Sequence, residues 1–214
     1  AGEGNAYDAL GKHPGTIKGN VGFASGISGA AFNFNGEDQF IEVADSADLN
    51  PKGSFSISVW IYPRQDRQQT LIAKWADFPD ELNQRSYNID MLPELGLRFA
   101  ICDAKNQWNP YLHKFETKFQ VLALNAWNHV VAVYDQPSGT RQMYVDGLKV
   151  AERVDPPILI VAAPAKVGLG ATLYTATDSR LHFDGMMDEV RFYSRSLSAD
   201  EVLMLYNAGV KGKR

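Results

Sequence analysis

Apolar and polar side chains alternate strictly along several short stretches of the chain. In residues 55–62 one set of alternate positions is entirely apolar and the other is mixed: Phe55, Ile57, Val59 and Ile61 against Ser56, Ser58, Trp60 and Tyr62. Alternation with a period of two places successive side chains on opposite faces of a β-strand. The same pattern recurs in residues 86–91 and 96–102. These three stretches are therefore predicted to be strands with one face in a core.

Shorter apolar runs, bounded by turn residues, predict further strands. They lie at residues 31–34, 40–43, 70–74, 129–134, 142–145, 148–151, 165–168 and 186–193. About a dozen short strands in one chain are typical of two packed antiparallel sheets. We therefore predict an all-β fold, a two-sheet antiparallel β-sandwich that takes up residues 1–214 as a single domain.

Two local signals add a hairpin and a helix. Asp146-Gly147 separates two apolar runs, and this pair supplies the positive φ angles of a two-residue type I′ turn. Ser198, followed three residues later by Glu201, is a capping box that begins a helix. An apolar stripe follows at helical spacing: Val202, Leu205 and Tyr206. We predict one short C-terminal helix that ends with Gly209 at the C′ position.

Composition narrows the class of protein and its partners. With 45% hydrophobic and 21% charged residues the chain has ordinary globular values, so disorder is not expected. A net charge of −4 argues against nucleic acid or an anionic membrane as the main partner. No apolar run approaches the ~20 residues that cross a bilayer, so we expect no membrane insertion. The single cysteine, Cys102, excludes an internal disulfide and a cysteine-based zinc site.

The chain begins Ala1-Gly2-Glu3, with no Met and no apolar signal-peptide segment. Such a start is typical of a mature secreted form or of a piece cut from a larger protein. We expect a module of a larger protein, so other domains of the same polypeptide are possible partners.

Four segments, in order along the chain, carry a family resemblance. They are residues 6–11 (AYDALG) with 14–17 (PGTI), residues 31–43 (AFNFNGEDQFIEV), residues 55–63 (FSISVWIYP) with 125–130 (NAWNHV), and residues 183–193 (FDGMMDEVRFY) leading into 198–202 (SADEV). In these segments the chain resembles the laminin-G-like, concanavalin A-like lectin/glucanase superfamily, in the variety found as modules of secreted bacterial proteins. The resemblance covers nearly the whole chain and implies a jelly-roll sandwich. It leaves the function open, because this architecture hosts lectins, carbohydrate-binding modules, hydrolases and adhesion modules.

The best-known hydrolases on this fold carry Glu-x-Asp-x-x-Glu on one strand, where period-two spacing puts the first two carboxylates side by side on the cleft face. Nothing in the chain matches that spacing. Residues 88–90 offer one carboxylate, and Asp188 and Glu189 are adjacent, so on a regular strand they point to opposite faces. The four histidines are scattered, and His129 is interpreted as a packed residue inside a strand. We therefore expect a protein that binds rather than catalyses, with no catalytic residues assigned.

A ligand groove is predicted on the concave face of one sheet and its rim loops. Alternation assigns Asn88, Asp90 and Arg98 to the non-core face of adjacent strands. The long connections nearby contain further candidates: Trp75, Arg85, Trp108 and Tyr111. Sugar C–H bonds pack on aromatic rings, while amides, carboxylates and guanidinium groups bond sugar hydroxyls. Packing at the sheet edge is the competing interpretation of Trp75 and Trp108.

A calcium ion is implied by the resemblance alone. Members of the superfamily often hold one away from the groove, joining an N-terminal segment, a loop carbonyl and an aspartate of the closing strand. By that resemblance, Asp188, the Gly36 carbonyl and Asp8 are the expected ligands, with a structural role. The competing interpretation is that Asp188 only caps a turn or pairs with Arg191.

Together these observations predict a non-catalytic, lectin-like module of a secreted or cell-surface bacterial protein whose partner is a poly- or oligosaccharide. Two alternatives remain open on the same fold: a protein–protein adhesion or assembly module, and a divergent glycoside hydrolase or polysaccharide lyase.

Overall fold

A computed structural model of the chain describes residues 4–76, 84–103, 114–174 and 178–212. Two seven-stranded antiparallel sheets dominate the described part. The predicted all-β architecture with two large antiparallel sheets is thus confirmed.

The sheets, called sheet A and sheet B below, are given in the order of their hydrogen-bonded strands. Sheet A contains β1 (Gly15–Lys18), β4 (Phe40–Val43), β13 (Val167–Leu169), β6 (Gln69–Ala76), β7 (Gln84–Leu92), β8 (Gly96–Ile101) and β9 (Lys114–Glu116). Sheet B contains β12 (Leu148–Val154), β11 (Thr140–Val145), β10 (Asn128–Asp135), β5 (Phe55–Pro63), β16 (Asp184–Tyr193), β3 (Ala30–Asn35) and β2 (Gly22–Ser25). A two-stranded ribbon, β14 (Thr172–Leu173) and β15 (Ser179–Arg180), lies beside β6.

The core lies between the inner faces of the two sheets. Sheet B contributes the apolar alternate positions of β5 and β10, and sheet A contributes those of β7 and β8; examples at 0–1% exposure are Phe55, Val59, Val130, Ile89 and Phe99. Removing this apolar surface from water is the main force that holds the sheets together. The alternation seen in the sequence therefore has a direct structural cause.

Each stretch predicted as a strand contains or overlaps an observed strand. The stretch 165–168 is displaced, since its strand β13 is Val167–Leu169. Five strands within the described ranges were not predicted: β1, β2, β9, β14 and β15. They have two to four residues each, and β1 and β2 show no buried–exposed alternation. These segments form strands because they pair with neighbouring strands, and not because their own sequences alternate between apolar and polar residues.

The Asp146-Gly147 turn has the predicted geometry. Asp146 has φ 51° and Gly147 φ 80°, both positive as a type I′ turn requires. The flanking residues pair directly, Val145 with Leu148. Asp146 Oδ1 also accepts the backbone N–H of His129 at 2.8 Å, which ties the turn to β10.

The C-terminal helix, α1 (Ala199–Gly212), begins at the predicted capping box. Glu201 N–H donates to Ser198 Oγ at 3.3 Å, and Ser198 N–H donates to Glu201 Oε2 at 2.8 Å. The predicted end at Gly209 is wrong, because the helix continues to Gly212. A Cβ at Gly209 would lie 2.5 Å from Trp60 Cζ2, so this glycine allows α1 to approach sheet B rather than ending the helix.

Among the helices in the described ranges, none has the length and apolar character needed to cross a membrane.

Candidate functional site

Strands β6 to β9 of sheet A carry a row of polar side chains on the face that turns away from the core. Strand pairing places Asp90 between Thr70 and Arg98. It places Glu116 on the other side of Arg98. One row along, Asn88 and Lys114 lie on either side of Ala100. The intervening residues Ile89, Phe99 and Phe115 belong to the core. Alternation therefore puts the polar set on the opposite face. We call it the polar face: Thr70, Ser86, Asn88, Asp90, Arg98, Lys114 and Glu116.

Asp90 lies at the centre of a hydrogen-bond chain on this face. Thr70 Oγ1 donates to Asp90 Oδ1 at 2.9 Å, and Thr172 Oγ1 lies 2.8 Å from Thr70 Oγ1. Since the Thr70 hydroxyl donates to Asp90, it accepts from Thr172. The Asn88 side chain also bonds the Asp90 carboxyl. The ribbon β14–β15 thus fixes the Asp90 side chain through Thr172.

Burial changes the acidity of Asp90, which is 3% exposed. Desolvation raises its pKa from 3.8 to about 6, although the Thr70 hydrogen bond and the Arg98 charge act in the opposite direction. The carboxyl group therefore changes charge within a mildly acidic range of pH. This residue can accept hydrogen bonds when ionised and donate one when protonated.

Two buried polar atoms beside Asp90 have no hydrogen-bond partner within the described part of the chain. They are Asn88 Oδ1 and Ser86 Oγ. Asn88 is 7% exposed and Ser86 is fully buried. A buried acceptor without a partner costs free energy, and such groups in native proteins are typical of places where a ligand or ordered water completes the bonding.

Arg98 joins the two carboxylates of the polar face. Its Nε donates to Glu116 Oε1 at 2.8 Å, and its Nη1 lies 3.6 Å from Asp90 Oδ2. Burial and the positive charge of Arg98 lower the pKa of Lys114. The two carboxylates therefore hold the guanidinium group of Arg98 in a defined orientation. The Arg98 side chain is 18% exposed.

Trp75 and Arg85 lie at strand ends and not in a loop, contrary to the sequence-based prediction. Trp75 belongs to β6 and pairs with Arg85 of β7, and the Arg85 guanidinium carbon lies 5.5 Å from the centre of the indole ring. Trp75 also packs against a small apolar cluster that contains Cys102 and Val161. Both interactions cover part of the indole. Trp108 and Tyr111, the other predicted aromatic contacts, lie outside the described residues.

Two of the expected calcium ligands, Asp188 and the Gly36 carbonyl, lie far apart. Asp184 pairs with Asn35, the residue before Gly36, so Asp188 and Gly36 are separated by roughly 15 Å at about 3.3 Å per strand residue. The Gly36 carbonyl oxygen accepts a hydrogen bond from the Arg67 guanidinium group at 2.9 Å. Asp188 and Gly36 therefore do not fit as ligands of one shared ion.

The two carboxylates of the expected calcium set are occupied by backbone N–H donors. Asp188 Oδ2 accepts from Ile27 and Ser28 at 2.8 and 3.0 Å, and Asp188 Oδ1 accepts from Glu189 at 2.7 Å. Asp8 accepts from the backbone of its own loop: Leu10, Lys12 and His13. Within the described ranges, no three His, Cys, Asp or Glu side chains are close enough to hold a metal ion. Calcium therefore stays a prediction that rests on the family resemblance.

Asp188 and Glu189 do not sit on a regular strand. The pairing of β16 with β5 is irregular between Asp188 and Arg191, and Glu189 has a φ of 50°. Asp188 consequently bonds the Ile27–Ser28 loop, whereas Glu189 forms an ion pair with Arg191. The backbone hydrogen bonds that Asp188 accepts are those of a turn cap, which is one of the two roles that the competing interpretation gave it.

Sequence reasoning missed four members of the polar face: Thr70, Ser86, Lys114 and Glu116. Ser86 shares the alternation of Asn88 and Asp90, so that signal was present in the sequence. Glu116 and Lys114 belong to the three-residue strand β9, whose place beside β8 depends on long-range pairing.

Comparisons with known proteins agree with this architecture. The family model of the concanavalin A-like lectin/glucanase superfamily matches residues 35–203, well over half of the chain. Domain 4 of a GH43 extracellular arabinanase from Geobacillus stearothermophilus, solved in complex with arabinotriose, is 21% identical with a TM-score of 0.69. The match covers 95% of this chain and 93% of that domain.

Toxin domains of clostridial bacteria form a second group of similar structures. The binding domain of Paraclostridial Mosquitocidal Protein 1 is 16% identical, with a TM-score of 0.67 over 92% of this chain and 48% of that one. The binding domain of botulinum neurotoxin serotype D/C is 13% identical, with a TM-score of 0.66 over 92% and 47%. The chain thus spans about half the length of these toxin domains.

No curated protein matches the chain by sequence. The structural neighbours confirm the predicted jelly-roll sandwich, and the family model confirms the resemblance seen in the sequence. The chain belongs to the concanavalin A-like lectin/glucanase superfamily.

Proposed function

We propose that the chain is a non-catalytic carbohydrate-binding module that recognises an oligo- or polysaccharide on its polar face. The observation that carries the proposal is the set Asn88, Asp90 and Arg98. It combines an amide oxygen without a described partner, a buried carboxyl group and an oriented guanidinium group. Neighbouring hydroxyls of a sugar both donate and accept, so they suit a surface of this mixed kind.

The similarity to the arabinanase domain supports the same proposal. That neighbour was solved with arabinotriose and matches this chain over nearly its full length. We infer that this chain, like that domain, serves as a binding module of a larger secreted bacterial protein. Arabino-oligosaccharides are accordingly the first ligands to test, before a wider panel of neutral and acidic glycans.

The decisive measurement is isothermal titration calorimetry on the chain and on two matched arginine variants. Arg98 and Arg195 are each paired with a glutamate, at 2.8 Å to Glu116 and 2.7 Å to Glu201, but only Arg98 lies on the polar face. Hydrogen bonds to charged groups contribute about 1.5–3 kcal/mol. We therefore expect Arg98→Ala to weaken binding by roughly 10- to 100-fold and Arg195→Ala to leave it unchanged.

Either of two results would overturn this proposal. One is that no saccharide of the panel binds. The other is that Arg98→Ala and Arg195→Ala bind equally well, which would place the saccharide elsewhere. Trp75→Ala is a further variant of interest, because its indole is partly covered and a smaller loss is expected there.

A catalytic alternative has one observation in its favour. Asp90, with a pKa near 6, and Glu116 lie on the same face with Arg98 between them, and a pair of carboxyl groups is the minimum of a glycoside hydrolase. Reducing ends released from a saccharide by the chain, and not by Asp90→Asn, would establish this alternative. A protein-binding role is favoured by the toxin binding domains, and retention of a receptor after removal of its glycans would support it.

A further inference from the structure

A small cleft lies on the opposite side of the sandwich from the polar face, between sheet B and α1. Its floor is formed by Ser58, Trp60 and His129 of β5 and β10. One wall is α1, with Leu205, Ala208, Gly209 and Gly212, and the other is the Ile27–Ser28 loop with Glu189 and Arg191 of β16. The volume is about 140 Å³.

The walls of this cleft are held in place by specific packing. Trp60 stacks on His129 at 4.9 Å and on Tyr206 of α1 at 5.7 Å between ring centres. Gly209 allows the helix to contact Trp60 closely. On the other side, Asp188 ties the Ile27–Ser28 loop to the irregular segment of β16. Specific packing and hydrogen bonds of the fold therefore define the shape of the cleft.

Buried polar groups line the floor. His129 is 1% exposed and Ser58 is 2% exposed, and Ser58 Oγ lies 2.8 Å from His129 Nε2. The other ring nitrogen, His129 Nδ1, is buried with no hydrogen-bond partner in the described part of the chain. Burial, assisted by the nearby charge of Arg191, lowers the pKa of His129 to about 4, so the ring is neutral at pH 7. A neutral imidazole offers one donor and one acceptor.

The two charged side chains that line the cleft pair with each other. Glu189 and Arg191 form an ion pair with each other at its edge, and the floor is neutral. A free anion or cation would gain attraction from one partner and repulsion from the other. Hydroxyl groups, which both donate and accept, suit this arrangement better than either ion.

The volume of the cleft limits the size of the ligand that it can bind. A cavity of about 150 Å³ can take up a benzene molecule, so this cleft has room for about six non-hydrogen atoms. We propose that the cleft is a second binding site, which takes a vicinal diol or triol of that size with one hydroxyl on His129 Nδ1. The shared chemistry has two sources, a free small polyol such as glycerol or the vicinal hydroxyls on the terminal ring of a longer saccharide.

The test is a titration of the full chain followed by the ring nitrogen signals of its histidines in NMR. Glycerol and arabinotriose are the two polyol arms, and acetate and ethylammonium are the ionic arms. We expect glycerol to shift the His129 signals saturably, with a Kd on the order of 1–10 mM. His13 and His182 do not line the cleft and serve as internal references. A shift with arabinotriose alone would assign the site to a saccharide end, and a shift with both would assign it to the diol itself.

Matched variants on α1 locate the site. Ala208 lines the cleft and Asn207 does not, and both are exposed positions of the helix. We expect Ala208→Leu to weaken polyol binding at least 10-fold and Asn207→Leu to leave it unchanged. Ser58→Ala, which removes a hydroxyl from the floor, should weaken it several-fold and serves if Ala208→Leu fails to fold.

Three outcomes would overturn the proposal. The first is no saturable shift of His129 with either polyol. The second is equal binding by Ala208→Leu and Asn207→Leu. The third is a stronger response to acetate or ethylammonium, which would show that the cleft selects an ion. None of these depends on the polar face, so the two proposed sites can fail separately.

Discussion

Replacing Asp90 by Asn should remove a pH-dependent loss of stability that this carboxyl group causes. Asp90 is 3% exposed, and its pKa in the folded chain is about 6 against an ordinary 3.8. Between these values the folded chain holds a proton that the unfolded chain has released. The free energy of unfolding therefore falls as pH rises through that window, and the stabilisation is complete below pH 3.8.

The size of the effect follows from the two pKa values. The difference between about 6 and 3.8, at about 1.36 kcal/mol per pH unit, corresponds to about 3 kcal/mol above pH 7. Asparagine keeps an oxygen for the Thr70 hydroxyl but never ionises. Asp90→Asn should thus gain stability relative to the parent chain by about 3 kcal/mol between pH 4 and pH 8.

Urea unfolding followed by tryptophan fluorescence, at a series of pH values, measures this difference directly. A change of about 3 kcal/mol moves the midpoint by roughly 1 M urea. Glu37→Gln, at an exposed turn position, is the matched control, and its difference from the parent should stay flat with pH. A flat difference for Asp90→Asn as well would refute the argument, because it would mean that burial does not raise this pKa.

Three further changes test the packing. Gly209→Ala places a methyl group against Trp60 and should cost about 1–3 kcal/mol in thermal unfolding, whereas Gly53→Ala, which meets open space, should be neutral or slightly stabilising. Ser198→Ala removes the hydroxyl of the capping box and should cost about 0.5–2 kcal/mol, seen as earlier loss of helical circular dichroism. Lys74→Met leaves the Asp45 carboxylate and a main-chain carbonyl without their buried ammonium partner, and because Asp45 is partly exposed, urea unfolding should show a loss of about 1–3 kcal/mol; an unchanged midpoint would contradict that account.

Much of the candidate site could be predicted from local alternation. The period-two pattern placed Asn88, Asp90 and Arg98 on the side of their strands that turns away from the core, and the structure has them there. Alternation is a property of neighbouring residues, and burial of one face enforces it. The turn at Asp146-Gly147 depends in the same way on the backbone preferences of its own two residues.

Other features depended on contacts between residues far apart in the chain. Thr172 fixes Asp90 through Thr70 across a separation of about a hundred residues, and Glu116 reaches Arg98 only because β9 pairs with β8. No local pattern encodes such pairings. The expected calcium ligands Asp188 and Gly36 illustrate the same limit, since a family resemblance gives residue identities but not their distances.

The sequence by itself determined the all-β class, the main strands, the hairpin turn, the start of the helix and which side of the polar strands turns away from the core. Only the tertiary structure decided that Gly209 serves a close helix–sheet contact, that Trp75 is partly covered by Arg85, and that His129 and Ser58 line a cleft under α1. The physical reason is that hydrogen-bonding preference and alternation act between neighbours, whereas packing depends on surfaces that meet only after the two sheets and the helix have assembled.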